Sequence, residues 1–178
     1  MANSPVMRHK SIEDIVREVG RYAPDAYQFI REGLTKASET IHGRISKREQ
    51  AVLQWMNESG LSLEAVQQLY SENQLPPNVR TAIDKLGGIE ALNRHVSGQQ
   101  LCLALRDLAI EKYGLLAGTV LRHWGVHSTS DFGRIVFALV DSGLLSKQPT
   151  DSIRDFDHVF DFREAFDRGY RVCADKSG

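Results

Sequence analysis

Apolar residues along most of this chain recur every three or four positions, and short polar segments separate these stretches. That spacing places apolar side chains on one face of a helix, so it predicts helices rather than strands. The predicted helix starts carry a second signal: a serine or aspartate is followed three residues later by a side chain that can complete a capping box. The pairs are Ser11 with Asp14, Ser46 with Glu49, Ser97 with Gln100, Ser128 with Asp131, and Asp161 with Glu164.

The first half of the chain is predicted to be a series of short helices. Pro24 stands where a first helical turn accepts proline, because the missing N–H would have no partner there. Gly60 is predicted to end one helix before the next begins. The segment "PPNVRTAIDKLGG", residues 76–88, begins at prolines and stops at glycines, which favours a further helix between them.

The second half is predicted to contain three helices followed by a β-hairpin. The helices cover residues 97–114, 115–125 and 128–143. The strands are "LLSKQP", 144–149, and "DFDHVFDF", 155–162, in which aromatic and polar residues alternate. This order is that of a winged-helix domain. We therefore predict a mainly α protein whose N-terminal helices pack on a winged-helix-like core. The predicted parts are N-terminal helices 1–39, an inserted helical segment 40–94, the winged-helix-like core 95–170 and a flexible tail 171–178.

Charge and composition disfavour several broad classes of function. The 178 residues include 22 basic and 23 acidic side chains, giving a formal charge of −1. A nearly neutral chain has no long-range attraction for nucleic acid or an anionic membrane, so such binding would need a local patch. Cys102 and Cys173 lie far apart, which predicts reduced thiols. The N-terminal stretch resembles neither a signal peptide nor a membrane span, so we expect a cytoplasmic protein that contacts no membrane.

The triplet Asp131-Phe132-Gly133 would hold magnesium in a protein kinase. A kinase site also needs a glycine-rich loop, a lysine on a strand and a catalytic loop upstream, and the sequence contains none of these motifs. Asp131 stands where a carboxylate caps a helix, and Phe132 continues an apolar stripe. The triplet is therefore predicted to be a helix start.

Two histidines are weak candidates for metal ligands. His123 and His127 are spaced so that a continuous helix would place both imidazoles on one face. Gly125 stands where that helix should end, so the alternative is that the histidines cap the helix or pack beside Trp124. No cofactor-binding motif occurs in the sequence.

Four cations are candidates for binding nucleic acid. A winged helix on DNA presents Lys or Arg on its third helix and wing, whereas here the third helix offers Arg134 alone and the predicted wing carries mostly aspartate. A basic stripe would have to form in three dimensions, from Arg106, Lys112, Arg122 and Arg134.

Two blocks of sequence resemble a known family. They are "RYAPDAYQFIREGL", residues 21–34, and the region 95–166, which includes "HVSGQQ" and "DFGRIVF". They resemble a family of bacterial proteins of unassigned function, best represented in planctomycetes and verrucomicrobia. The resemblance implies no catalytic residues. This chain differs from the family by a longer segment at about 40–93, which could have a partner of its own.

The leading hypothesis for function is a non-enzymatic protein interaction module or adaptor, binding another protein or a second copy of itself. The first alternative is a nucleic-acid-binding regulator that uses the winged-helix-like core. The second is a metal-dependent enzyme of unrecognised type. Cys102 lies within an apolar helix, which favours a buried structural thiol over a nucleophile. A catalytic site would have to gather other residues, such as Tyr22, Tyr27, His95 and Arg106.

Overall fold

A computed structural model describes residues 10–168 of the chain. Within these residues the regular structure is helical and no strand occurs, so the predicted mainly α class is confirmed. None of the described helices is long and apolar enough to cross a membrane. The α-helices are α1 Ile12–Val19, α2 Pro24–His42, α3 Lys47–Ser59, α4 Leu63–Ser71, α5 Pro77–Leu86, α6 Gly98–Tyr113, α7 Ala117–His123 and α8 Thr129–Asp141. Short 3₁₀-helices cover Ile89–Leu92, Gly114–Leu116 and Ile153–Phe156, and a π-helix covers Arg163–Arg168.

Most of the predicted helix boundaries form where the local signals placed them. Gly60 ends α3 and Gly87 ends α5, each in the left-handed conformation that glycine adopts without strain. Asp161 accepts a hydrogen bond from the Glu164 N–H, as an N-cap residue does. Complete capping boxes form at Ser11 with Asp14, Ser46 with Glu49, and Ser97 with Gln100.

The predicted β-hairpin between residues 144 and 162 is absent, and the winged-helix-like core over 95–170 is therefore not supported. Ser152 and Asp155 form a capping box that starts the 3₁₀-helix Ile153–Phe156, which overlaps the beginning of the second predicted strand. His158 has a φ of 52°, which interrupts the extended backbone of a strand. The aromatic side chains of this segment pack into the helical core instead of lining one face of a sheet.

The described chain divides into two compact units. Residues 10–37 and 96–168 form one, called the core unit, and residues 38–95 form the other, called the insert unit. These boundaries lie beside the predicted positions 40 and 94. Helix α2 contributes residues to both units. The predicted tail, 171–178, lies outside the described residues.

Close contacts at glycine hold the core unit together. Gly33 of α2 faces Leu105 of α6 so closely that a Cβ there would overlap the leucine side chain. Phe156 lies against two helices at once: a Cβ on Gly98 would lie 2.9 Å from its ring, and a Cβ on Gly133 would lie 2.8 Å from its Cβ. Residues from α1, α2, α6, α7 and α8 share this one hydrophobic core. The N-terminal helices therefore belong to the same core as the C-terminal ones.

The insert unit has its own small core. Val52, Val66 and Ile83, from α3, α4 and α5, are buried together. A largely buried ion pair lies beside this core, with Arg94 Nη1 at 3.0 Å from Glu49 Oε1. The capping box of α3 positions Glu49 for this contact, because its carboxylate also accepts the Ser46 N–H.

Candidate functional site

A buried carboxylate lies in the first turn of α8. Asp131 is only 1% exposed, although aspartate is usually solvated. It is buried because α8 places it beside Phe132 and Ile135, which belong to the core. A charge in such a position requires close partners to offset its lost hydration.

Four groups surround the Asp131 carboxylate. The Tyr22 hydroxyl donates to Oδ1 at 2.6 Å, and Arg134 Nη1 donates to the same oxygen at 2.7 Å. The His127 backbone N–H donates to Oδ2 at 2.9 Å. Arg21 Nη2 lies 3.4 Å from Oδ1. The carboxylate thus ties the start of α8 to the connection between α1 and α2.

These partners determine how Asp131 and Tyr22 titrate. Burial alone would raise the pKa of Asp131. The hydrogen bonds from Tyr22, His127 and Arg134, with the charge of Arg21, outweigh burial and hold this pKa below its usual range. Burial and the hydrogen bond to Asp131 raise the pKa of Tyr22 to about 12. At neutral pH the pair is therefore a carboxylate and a neutral phenol.

This geometry corrects one predicted capping box. Ser128 is the N-cap of α8, but its side chain makes no cap hydrogen bond. Asp131 accepts from the N–H of His127 rather than from that of Ser128, because the tyrosine and the arginines draw its carboxylate into the core. Both carboxylate oxygens are occupied, so Asp131 acts as an anchor of the fold.

The other two residues of the triplet are also buried. Phe132 is part of the core, with its ring centroid 5.7 Å from that of Phe162. Because Gly133 has no side chain, Phe156 can pack closely against the backbone of α8. Each member of Asp131-Phe132-Gly133 therefore has a packing role at the start of α8.

A cleft of about 430 Å³ opens beside this helix start. It contains two imidazoles, several hydroxyl groups and two aromatic rings. Some of its polar groups already have partners, since Ser130 Oγ donates to Asp157 at 2.7 Å and Thr129 Oγ1 accepts the Val159 N–H at 3.3 Å. The lining residues are His127, Ser128, Thr129, Ser130, His158, Phe160, Asp161, Phe162 and Arg163.

The two candidate metal ligands lie on either side of a helix end. His123 is the last residue of α7, and Gly125, with a φ of 86°, turns the chain away before His127. The two histidines therefore do not share one helical face. No cluster of three or more His, Cys, Asp or Glu side chains within residues 10–168 is arranged to hold a metal ion.

The four cations predicted to contact nucleic acid all have acidic partners in the core unit. A phosphate would have to replace a carboxylate at each of them. The nucleic-acid alternative remains a prediction, and these four cations do not form an unpaired basic stripe that would support it. The contacts are Arg106 with Asp107 at 2.9 Å, Lys112 with Glu32 at 2.6 Å, Arg122 with Asp167 at 3.4 Å, and Arg134 with Asp131 at 2.7 Å.

The residues considered for covalent or acid–base catalysis have different surroundings. Cys102 is 0% exposed and burial raises the pKa of its thiol to about 12, so the thiol is neutral and inaccessible. Tyr22 and Tyr27 meet edge to face in the core unit, whereas His95 belongs to the insert unit. Arg106 lies over the ring of Phe160. Cys173 lies outside the described residues.

Sequence reasoning missed two groups of residues. The first is the pair Tyr22 and Asp131, which are 109 positions apart and carry no local signal of contact. The second is a set of exposed cations, with Arg44 in the connection after α2 and Lys47 and Arg48 in the first turn of α3. Three cations within five positions are a local signal of a basic patch, which the near-neutral total charge does not show.

Comparison of the chain with protein-family models, curated proteins and solved structures gives no match. The resemblance to a bacterial family therefore remains a prediction. Function has to be inferred from the geometry of the chain itself.

Proposed function

We propose that the protein is a non-enzymatic interaction module that binds another protein or a second copy of itself. The observation that carries this proposal is an exposed apolar group at the end of α6. Ile110, Leu115 and Leu116 are 44%, 66% and 63% exposed, and they lie within seven positions of one another. Single exposed apolar residues are ordinary, whereas a local group of them favours a binding surface.

The backbone keeps these side chains at the surface. Gly114 has a φ of 53° and ends α6, and the 3₁₀-helix Gly114–Leu116 follows directly. The positive φ of Gly114 turns the chain out of the helix, so both leucines follow a fixed bend. A bend defined by backbone geometry reduces the ordering cost of binding.

The chemistry of the core unit also supports a binding role. Asp131 has both oxygens engaged, and Cys102 is buried with a raised pKa. The candidate cations are paired with carboxylates. Exposed apolar side chains are thus a clearer source of binding energy than any polar constellation described here.

The test is affinity purification of the tagged protein from its own cells, with and without nuclease treatment. The variant is Leu115→Ser with Leu116→Ser, and Val19→Ser is the matched control, because Val19 is an exposed apolar residue on α1. A partner that survives nuclease, is lost by the double variant and is retained by the control supports the proposal. Sedimentation velocity of the same proteins detects self-association.

Loss of all partners after nuclease treatment would contradict the proposal and favour a nucleic-acid-binding regulator. Equal recovery of a partner by the wild type and the double variant would remove this surface as its basis.

A further inference from the structure

The end of α2, the connection that follows it and the first turn of α3 combine exposed cations with exposed isoleucines. We call this region the loop surface, and it consists of Ile41, Arg44, Ile45, Lys47 and Arg48. The two isoleucines are 42% and 47% exposed. All five residues lie within the insert unit. The exposed apolar group of the proposed function belongs to the core unit.

The cations of the loop surface have no carboxylate partner among residues 10–168. Arg44, Lys47 and Arg48 form no ion pair there. Glu49 follows them directly, but Arg94 and the Ser46 N–H occupy its carboxylate. The nearest acidic side chain in sequence therefore does not neutralise the surface.

Two of these cations lie where helix electrostatics disfavour them. Lys47 and Arg48 are the first residues of α3, at the positive end of the helix dipole. A positive side chain there weakens the isolated helix. The same placement adds the dipole to the side-chain charges and strengthens the attraction for an anionic group.

The backbone beneath the loop surface is tied in place. Arg94 donates to the Ser38 hydroxyl at 3.2 Å, to Glu49 at 3.0 Å and to the carbonyl oxygen of Gly43. His42 Nε2 lies 2.8 Å from the His95 carbonyl oxygen, to which it can donate. Hydrogen bonds of Arg94 and His42 therefore hold the backbone of this loop, so a partner would not have to order it on binding.

We infer that the loop surface binds an acidic polypeptide segment that carries apolar side chains next to its carboxylates. Complementary charge favours an anionic partner, and the isoleucines favour one that also offers apolar contacts. A phosphate backbone matches only the cations. Binding to a lipid bilayer is the other outcome, and the vesicles in the test detect it. The inference rests on the proposed function in that the partner is a polypeptide.

The test selects short peptides from a random display library against the full-length wild-type protein. Two variants then measure how each class of side chain contributes. The loop variant is Arg44→Gln with Lys47→Gln and Arg48→Gln, and the isoleucine variant is Ile41→Ser with Ile45→Ser. Urea unfolding of each variant checks that it remains folded.

The matched control removes the same number of cations from the core unit. It is Arg106→Gln with Lys112→Gln and Arg122→Gln, all of which are paired with carboxylates. This paired-cation control changes net charge as much as the loop variant does. A general charge effect would therefore weaken binding equally in both.

We expect the selected peptides to be enriched in Asp and Glu beside apolar residues. Their affinity should fall about tenfold in the loop variant, about threefold in the isoleucine variant and less than about twofold in the control. Failure to select acidic peptides, or equal binding by the loop variant, would overturn the inference. So would loop-dependent binding of DNA or phosphatidylserine vesicles that the isoleucine variant leaves unchanged. A nuclease-resistant partner that binds wild type and loop variant equally would support the proposed function as an interaction module. The same result would overturn the inference that the loop surface binds the partner.

Discussion

Three cations of the core unit and the three cations of the loop surface differ in whether they form ion pairs. In the core unit Arg106, Lys112 and Arg122 each lie within ion-pair distance of a carboxylate. In the loop surface Arg44 and its neighbours have no such partner among residues 10–168. Each set contains three cations, but only those of the loop surface are available to a new anionic partner. Ion pairing, and not the count of basic residues, therefore decides which surface can attract an anion.

Removal of the Asp131 carboxylate should produce the largest effect, because it would create unpaired groups inside the core unit. Asp131→Ala leaves the buried Tyr22 hydroxyl and the His127 N–H without their acceptor. We expect the free energy of unfolding in urea to fall by about 2 to 4 kcal/mol. The control Asp107→Ala removes an exposed carboxylate and should change it by less than about 0.5 kcal/mol. Equal losses would show that Asp131 is not an anchor.

Gly133→Ala should be the next most damaging change, since it tests how tightly the core unit is packed. Alanine normally stabilises a helix relative to glycine, but a Cβ here would lie 2.8 Å from Phe156 Cβ. We expect a loss of about 1 to 3 kcal/mol in urea unfolding. A Phe156→Ala background should reduce that loss, because it removes the ring carbons that lie 2.9 and 3.1 Å from the added Cβ. An unchanged loss in that background would contradict the packing account.

Acid should reduce the difference in the free energy of unfolding between wild type and Asp131→Ala. The pKa of Asp131 is lower in the folded than in the unfolded protein, so its ionised form stabilises the fold above the unfolded value of about 4. That contribution is lost as pH falls through the folded pKa. Urea unfolding should give a constant difference above about pH 5 and a decreasing one below about pH 4. A difference that persists into strong acid would indicate a role independent of charge.

Removing the hydroxyl should destabilise the protein at one of two neighbouring tyrosines but not at the other. Tyr22 donates to Asp131, whereas the buried Tyr27 hydroxyl has no hydrogen-bond partner among the described residues. Tyr22→Phe should lower the free energy of unfolding by about 1 kcal/mol or more, and Tyr27→Phe should leave it unchanged or raise it slightly. Thermal unfolding of both variants measures the contrast. Similar losses would mean that both hydroxyl groups are bonded.

The helices were predictable because their boundary signals are local. A capping box needs only four consecutive residues, as at Ser46, and a stop needs one glycine, as at Gly60 and Gly87. Those hydrogen bonds form within one turn of the chain, so the sequence contains all of their partners.

The candidate sites were less predictable because their partners are distant. Tyr22 and Asp131 lie 109 positions apart, and only the packing of α8 brings them together. The same contact removed the capping box predicted at Ser128. Alternating aromatics near Phe156 suggested a strand, but those rings are buried against helices such as α8. Spacing along the chain could not show that Lys112 pairs with Glu32 while Lys47 has no carboxylate partner within residues 10–168.

The most direct test of the contrast between the two sets of cations is binding of fluorescein-labelled poly-L-glutamate, followed by fluorescence anisotropy over a range of salt concentrations. The wild type is compared with the loop variant and the paired-cation control. Our account predicts that the loop variant binds about tenfold more weakly, with a shallower salt dependence, and that the control stays within about twofold of wild type. Equal weakening of the two variants would contradict the claim that unpaired loop cations attract the acidic partner.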